Sequence, residues 1–151
     1  MNILKILTQN RHKGDLGEAA AVKLLRRSGY RILERNYVCR NSEIDIIAKK
    51  RGVTAFIEVK ARGVRGLEKM HMRPASAVDP EKQRKIIKAA EYYRRRNPDD
   101  TRMRFDIIEV YLDEDERGIR IKDVKHLEAA FDCNSAYKGY HPDTKQRKVL
   151  P

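Results

Sequence analysis

The chain has 151 residues, with 34 Lys and Arg against 22 Asp and Glu, which gives a formal net charge of +12 and a pI of about 9.8. This length suits one domain with a single core, and the basic balance is typical of small proteins that bind a polyanion. No apolar run exceeds four residues, which excludes a helix that crosses a membrane and predicts no membrane partner. The N-terminal apolar stretch is too short for a secretory signal. Cys39 and Cys133 have no metal-type spacing, so we expect a cytoplasmic protein with reduced thiols.

The first half of the chain predicts one helix followed by three strands. Residues 1–13 show little pattern and are predicted to form a flexible arm. Asp15 with Glu18 three residues later has the form of a helix start, and apolar residues then recur at helical spacing as far as Ser28-Gly29. Three segments with the pattern of strands follow, at 31–40, 42–49 and 53–60.

The second half predicts one long helix and two more strands. Residues 61–78 have no periodicity and are predicted to be a loop, after which Asp79-Pro80 is a strong helix start and Asn97-Pro98 a helix end. Further predicted elements are strands at 104–112 and 119–124, a short helix at 127–131, and a flexible polar tail over 132–151. The order α-β-β-β-α-β-β predicts one α/β domain over 14–131, with a mixed central sheet flanked by helices.

Alternation within the two central strands predicts a pair of facing carboxylates. If the strands form a hairpin around Arg51-Gly52, Asp45 lies opposite Glu58 and Glu43 lies opposite Lys60. Two anions about 5 Å apart repel by roughly 3 kcal/mol at an effective dielectric near 20, and a divalent cation turns that repulsion into attraction. Oxygen ligands alone favour Mg²⁺ or Mn²⁺ over Zn²⁺. The alternative is an ordinary solvated strand face, which the hairpin spacing and the basic segment that follows make less favourable.

Five motifs follow one another along the chain: G-D-x-G-E-A-A at 14–20, G-Y-x-I-L-x-R-N at 29–36, E-I-D-x-I-A at 43–48, F-I-E-V-K-A-R at 56–62 and R-F-D at 104–106. Together they resemble the motifs of the bacterial YraN family, which is similar to archaeal Holliday-junction resolvases within the PD-(D/E)xK nuclease superfamily. The resemblance implies a restriction-endonuclease-like fold and a Mg²⁺- or Mn²⁺-dependent endonuclease that cleaves DNA in the bacterial cytoplasm, including branched or Holliday-junction-like DNA. Because resolvases cut a junction with two active sites, the resemblance is also compatible with a homodimer.

The resemblance also implies roles for individual residues. Asp45 and Glu58 match the two metal-binding carboxylates, and the backbone carbonyl of Val59 is an expected further ligand. Lys60 matches the catalytic lysine. Glu18 matches a helix glutamate that approaches the metal directly or through water, although as the third residue of a capping box it is also favourable whatever it does to metal.

Two positions have a weaker correspondence to the family, and one residue is predicted to be structural. Gln83 falls where related nucleases carry a helical glutamine or lysine, but it is also one turn from apolar positions and fits the border of the core. Ser42 stands where the family usually has glycine. Asp106 is predicted to hydrogen-bond a neighbouring loop and not to bind metal. The four histidines share no ligand spacing, so a zinc site is not expected.

Basic side chains follow the predicted site and are candidates for contacts with backbone phosphates, which need no sequence recognition. They are Arg62, Arg65, Lys69, Arg73, Lys82 and Lys85. A solvated basic helix face is the alternative for the last two. Two other functions stay open: binding of branched or single-stranded nucleic acid without cleavage, and a basic accessory subunit of a DNA- or RNA-processing complex.

Overall fold

The computed structural model describes residues 3–63 and 78–137, which form one five-stranded mixed sheet flanked by helices. The strands lie in the chain order β1-β2-β3-β4-β5. This confirms the predicted α/β class and element order. The elements are α1 (Ile3–Arg27), β1 (Arg31–Cys39), β2 (Ser42–Lys50), β3 (Val53–Gly63), α2 (Pro80–Arg96), β4 (Arg102–Asp115), β5 (Gly118–Phe131) and α3 (Cys133–Tyr137).

Turn chemistry sets the connection between β2 and β3. Arg51 and Gly52 both have positive φ, at 46° and 72°, as a two-residue turn of the type I′ hairpin requires. The turn places Lys50 opposite Val53, and this is the register predicted from the sequence. Strands β3 and β4 are parallel instead, so the chain must cross over between them, and α2 lies within that connection.

Helices cover both faces of the sheet. On one face, α1 buries Ala21, Val22 and Leu25 in a cluster with sheet residues such as Ile46 and Ile57. On the other face, α2 and α3 pack on a second apolar cluster, whose members include Phe56, Ile86, Ile87, Tyr93 and Phe105. A polar side chain on either face of the central strands is therefore enclosed unless it lies near a strand end.

Gly17 allows α1 to approach β3 closely. A Cβ atom added at Gly17 would lie 3.1 Å from Cβ of Ala61, tighter than nearly all real contacts of this kind. The absence of a side chain thus lets α1 lie directly on the C-terminal half of β3. The next residue along the helix is Glu18, so this contact places Glu18 near the same end of the central strands.

The predicted start of α1 at Asp15 is wrong, because the helix begins at Ile3 and residues 3–13 form its first turns. Leucine, lysine, glutamine and arginine in that segment are good helix formers, and Asp15 and Glu18 are accommodated inside the helix. A capping pattern cannot by itself distinguish a first turn from an inner one. None of the helices formed by the described residues is long and apolar enough to span a membrane.

The predicted short helix at 127–131 is also wrong, because β5 runs to Phe131, which pairs with Phe105. Ala129 has φ of 50° where the register of this pairing shifts, so an irregular strand stands where a helix was expected. Likewise, β3 continues to Gly63, beyond the predicted end at Lys60, because its parallel ladder with β4 extends that far.

The short helix of the C-terminal region lies instead at Cys133–Tyr137, inside the segment predicted to be a flexible tail. The rest of the predicted tail, at 138–151, and most of the predicted loop, at 64–77, lie outside the described residues. The domain limits at 14 and 131 stay a prediction.

Candidate functional site

The pairing of β2 with β3 ends beside Asp45. Five residue pairs follow the predicted register, from Lys50 opposite Val53 to Ile46 opposite Ile57, and the ladder stops there. Beyond this point the main-chain N–H of Val59 donates to Oδ2 of Asp45 at 2.7 Å. A side-chain carboxylate thus takes the place of the next main-chain acceptor, which fixes Asp45 at the end of the ladder, next to the position of Glu58.

Glu58 is a buried carboxylate that contacts two ammonium groups. Its side chain is only 4% exposed, and its Oε1 lies 3.1 Å from Nζ of Lys60 and accepts a hydrogen bond from Nζ of Lys82 on α2. Burial of a carboxylate without such partners costs several kcal/mol. Although burial disfavours the charge of Lys82, the hydrogen bond and the attraction to Glu58 raise the pKa of Lys82, so its ammonium group stays charged at neutral pH.

Asp45 is held in an environment that disfavours its negative charge. Burial raises its pKa most, the adjacent Glu58 carboxylate raises it further, and the hydrogen bond from Val59 opposes both, for a pKa of about 7. Part of this penalty is the repulsion between two carboxylates that lie close together in a partly enclosed position. A divalent cation between them would turn that repulsion into attraction.

The donor atoms at this position fit a hard cation. Asp45, Glu58 and the carbonyl of Val59 offer only oxygen, which suits Mg²⁺ or Mn²⁺ and does not suit Zn²⁺. Among residues 3–63 and 78–137, no group of three or more His, Cys, Asp or Glu side chains is placed to hold a metal ion, at this position or at any other. The candidate here is a pair of carboxylates, and the chemistry of its donor atoms is what supports it.

A second acidic group lies on the α1 side of the pair and includes Glu18 and Glu43. With its amide nitrogen turned toward them, Asn36 donates to both Glu18 oxygens at 3.2 and 3.3 Å and to Glu43 Oε1 at 3.2 Å. Nη2 of Arg35 lies 3.9 Å from Glu18 Oε2. Burial raises the pKa of Glu18, against the opposing effects of Asn36 and Arg35. The charge of Glu18 also raises the pKa of Asp45, so the two acidic groups are electrostatically coupled.

These contacts revise two expectations. Glu18 lies in the middle of α1, so it has no capping role, and it faces the acidic group. Glu43 pairs with Val38 of β1 and does not lie opposite Lys60, because β2 has left β3 at that point. Lys60 contacts Glu58 on its own strand instead.

Asn36 is a site residue that the sequence reasoning missed. It has φ of 52°, a left-handed conformation that asparagine tolerates better than most residues. Its amide bridges Glu18 of α1 and Glu43, which lies just across the β1–β2 turn. The available signal was its position as the last residue of the motif at 29–36.

We expect Asn36→Asp to destabilise the protein by about 1–2 kcal/mol at pH 8, because it replaces a bridging amide by a third carboxylate. The loss of stability should be smaller at pH 4, where carboxylates take up protons. Urea unfolding at pH 8 and pH 4 measures the difference in the free energy of unfolding between the variant and the wild type. Asn36→Gly, which removes the amide but tolerates positive φ, is the control, and an equal pH dependence in both variants contradicts this account.

The remaining predicted site residues do not lie together at one site. Gln83 is buried, and its Nε2 donates to the carbonyl of Val78 at 2.9 Å, so it borders the core. Its neighbour Lys82 is the α2 residue that reaches the carboxylates. Nζ of Lys85 lies 3.9 Å from Glu81, one turn before it. Arg65, Lys69 and Arg73 lie outside the described residues.

Arg62 belongs to a neighbouring polar contact on β3 and β4. Its Nε lies 3.8 Å from Oε1 of Glu109, which is 5% exposed and accepts a hydrogen bond from the Tyr111 hydroxyl. Arg62 Nε is buried and makes no hydrogen bond with the residues that the structure describes. Arg62 thus lies on the same strand as Glu58 and Lys60, toward its C-terminal end.

Asp106 is engaged in hydrogen bonds with neighbouring residues, although its partners lie on β4 and β5 and not on a loop as predicted. Its fully buried carboxylate accepts hydrogen bonds from Arg104, His126 and the main-chain N–H of Ala129 at the irregular part of β5. Although burial opposes ionisation, these donors hold the pKa of Asp106 below its ordinary value. The carboxylate is fully engaged by protein donors, which leaves it no role in holding a cation.

The fold and the site define the class of this protein. A mixed sheet in the order α-β-β-β-α-β-β, with acidic residues and a lysine where the central hairpin ends, is consistent with a nuclease-like α/β fold. The chain belongs to the UPF0102 family, the YraN family whose motifs it resembles. The profile described as "Uncharacterised protein family UPF0102" matches residues 17–110.

Similar proteins from three bacteria cover most of the chain. The UPF0102 protein of Chlorobaculum parvum is 48% identical over 120 residues, which are 78% of this chain and 90% of that protein. The relative from Persephonella marina is 40% identical over 123 residues, with coverages of 81% and 95%. The relative from Clostridioides difficile is 42% identical over 123 residues, with coverages of 81% and 98%.

Proposed function

We propose that this protein is a metal-dependent endonuclease that hydrolyses phosphodiester bonds in DNA, with branched DNA as the preferred substrate. The observation that carries the proposal is the placement of Asp45 beside buried Glu58 at the end of the central hairpin, with Lys60 and Lys82 on Glu58. A carboxylate with a pKa raised by burial and by a neighbouring carboxylate is characteristic of sites that bind cations or catalyse reactions.

Each acidic residue has a role in the proposal. Asp45 and Glu58 hold Mg²⁺ or Mn²⁺ together with the carbonyl of Val59, and Glu18 contributes directly or through water. When bound, the cation supplies polarisation of a phosphate and a lower pKa for a water molecule. The hydrogen bond from Val59 to Asp45 keeps that carboxylate oriented, so little reorganisation is needed.

The two lysines stabilise negative charge. Lys60 and Lys82 both contact Oε1 of Glu58, and their side chains are 32% and 45% exposed, so a phosphate that arrives from solvent beside Glu58 is within their reach. Lys60 orients the attacking water or stabilises charge that develops on the phosphate. Lys82 takes the place that the sequence reasoning gave to Gln83.

One observation favours an alternative in which nucleic acid is bound but not cut. Because Lys60 and Lys82 already neutralise Glu58, the protein supplies its own cations to one of the two carboxylates. A site balanced in this way could be stable without metal. The cleavage experiment separates the two functions.

We expect the wild-type protein to cut at least one labelled DNA out of a four-way junction, a flap, a single strand and a duplex, in Mg²⁺ or Mn²⁺ but not in EDTA. Glu58→Gln should lose activity by at least about 10³-fold, and Lys60→Ala by about 10²-fold or more. Lys23→Ala, on the exposed surface of α1, is the matched control. Binding of these DNAs without cleavage in either metal would favour the alternative.

A further inference from the structure

We propose that a groove between the β1–β2 turn and α2 binds single-stranded DNA beside the cleavage site. This inference rests on the proposed function and deepens it, because it names the unpaired strand of a branched substrate as the recognised part. The groove has a volume of about 430 Å³. Residues 39–42 form one wall and the exposed side of α2 forms the other.

The α2 wall is a single helix face. Lys85, Lys88, Tyr92 and Arg95 line it, and their spacing of three, four and three residues places them in one row along the helix. From Lys85 to Arg95 the row is about 15 Å long at 1.5 Å per residue. This is an extended track and not a point site.

The charge of the groove suits a polyanion. Four basic side chains line it, including Arg40 from the turn, against the single carboxylate of Glu91. Among residues 3–63 and 78–137, no ion pair involves Arg40, Lys88 or Arg95. Their charges are therefore available to phosphates, which bind by release of counterions.

An aromatic ring in the row suits a base. Tyr92 lines the groove, and the guanidinium of Arg96 lies over its ring at 5.0 Å from the centroid. Proteins that bind single strands combine a basic groove with aromatic rings on which bases stack. A groove of this volume has room for the nucleotides of a single strand and not for the width of a duplex.

Both walls of the groove are formed by elements that also carry residues of the proposed cleavage site. Ser42 lines the groove and precedes Asp45 by three residues on β2, about 10 Å at the rise of a strand. On α2, Lys85 lies one turn after Lys82, which contacts Glu58. A strand in the groove thus leads directly to the carboxylate pair.

Fluorescence anisotropy in EDTA tests the groove without cleavage. The probes are a labelled oligothymidylate of about 12 nucleotides and a duplex of the same length. We expect wild type to bind the single strand more tightly. Tyr92→Ala should weaken this binding at least about 5-fold, and Tyr92→Phe, which keeps the ring, should bind like wild type.

The charge is tested by a matched pair of double variants. Lys88→Ala/Arg95→Ala should weaken binding at least about 10-fold and reduce the slope of log K against log salt by about 1.4, the value for two phosphate contacts. The control Lys23→Ala/Arg27→Ala removes the same charge from exposed positions on α1 and should change binding by no more than about 3-fold.

Three results would overturn the proposal: tighter binding of the duplex, equal losses in the two double variants, or full binding by a folded Tyr92→Ala protein. The experiments distinguish a failure of the groove from a failure of the proposed function. If the groove variants bind the single strand weakly and the wild type does not cleave DNA in Mg²⁺ or Mn²⁺, the groove is supported and the endonuclease is rejected. If the wild type cleaves DNA and the groove variants bind the single strand as it does, the endonuclease is supported and the groove is rejected.

Discussion

Asp45→Asn is expected to abolish DNA cleavage and, at the same time, to stabilise the metal-free protein at pH 7.5 by about 1–3 kcal/mol. An asparagine oxygen can still accept the N–H of Val59, so the contact that holds the side chain is kept. What is lost is a half-buried charge next to Glu58. Because a metal supplies several kcal/mol to such reactions, the loss of cleavage should reach at least about 10³-fold.

The gain in stability should depend on pH in a defined direction. The pKa of Asp45 is raised from 3.8 in the unfolded chain to about 7 in the folded protein, by burial first and by Glu58 second. Well below pH 3.8 the group is protonated in both states and makes no difference to the free energy of unfolding. As the pH rises from 4 to 7 the unfolded chain ionises first, so the wild type loses stability relative to Asp45→Asn, and the full difference is present above pH 7.

Urea unfolding in EDTA at pH 4 and pH 7.5 measures this effect. Asp100→Asn, which removes an exposed carboxylate of the α2–β4 connection, is the matched control and should show little change at either pH. A less stable Asp45→Asn protein at pH 7.5, or full cleavage activity in that variant, would contradict the assignment of Asp45 to a strained cation site.

Asp106→Ala should destabilise the protein by about 3–5 kcal/mol, the largest effect we expect on stability. The carboxylate is completely buried, and Arg104 bonds it through Nε at 2.8 Å and Nη2 at 2.7 Å. His126 lies at 2.8 Å and the Ala129 N–H at 2.9 Å. Removal of the anion leaves these donors without their acceptor in a position that water reaches poorly.

The pH dependence of Asp106→Ala has the opposite sign to that of Asp45→Asn. The pKa of Asp106 is lowered on folding, so its contribution is fully present above its ordinary pKa and is lost as the pH falls through the lower folded value. The difference in the free energy of unfolding between wild type and Asp106→Ala should therefore become smaller at acidic pH. Urea unfolding checks it, with Asp106→Asn as an intermediate variant. Unchanged stability together with lost metal binding would instead place Asp106 in the functional site.

The central hairpin shows what the sequence can predict. Alternation of apolar residues fixes which side chains share a face, and Arg51-Gly52 fixes the turn, so the register from Lys50 to Ile46 follows from local rules. The same rules cannot show where the ladder ends. That depends on Asp45 accepting the Val59 N–H and on β2 staying with β1, which are tertiary events.

On α2, the sequence predicts the burial of Gln83 but not the contact of Lys82 with Glu58. Gln83 has the spacing of Ile86, Ile87 and Ala90, and this periodicity already places it on the buried face. The family pattern favoured Gln83, but side-chain direction gives the contact with Glu58 to Lys82. Asn36 could not be predicted, because its partners come from two elements that meet it only in the folded sheet.

The central claim is that Asp45 and Glu58 together hold a divalent cation, and calorimetric titration with Mn²⁺ tests it most directly. We predict one binding site in the wild-type protein, with affinity at least about 10-fold weaker in Asp45→Asn and in Glu58→Gln and unchanged in Asp100→Asn. No binding to the wild type, or equal affinity in all four proteins, would contradict the claim.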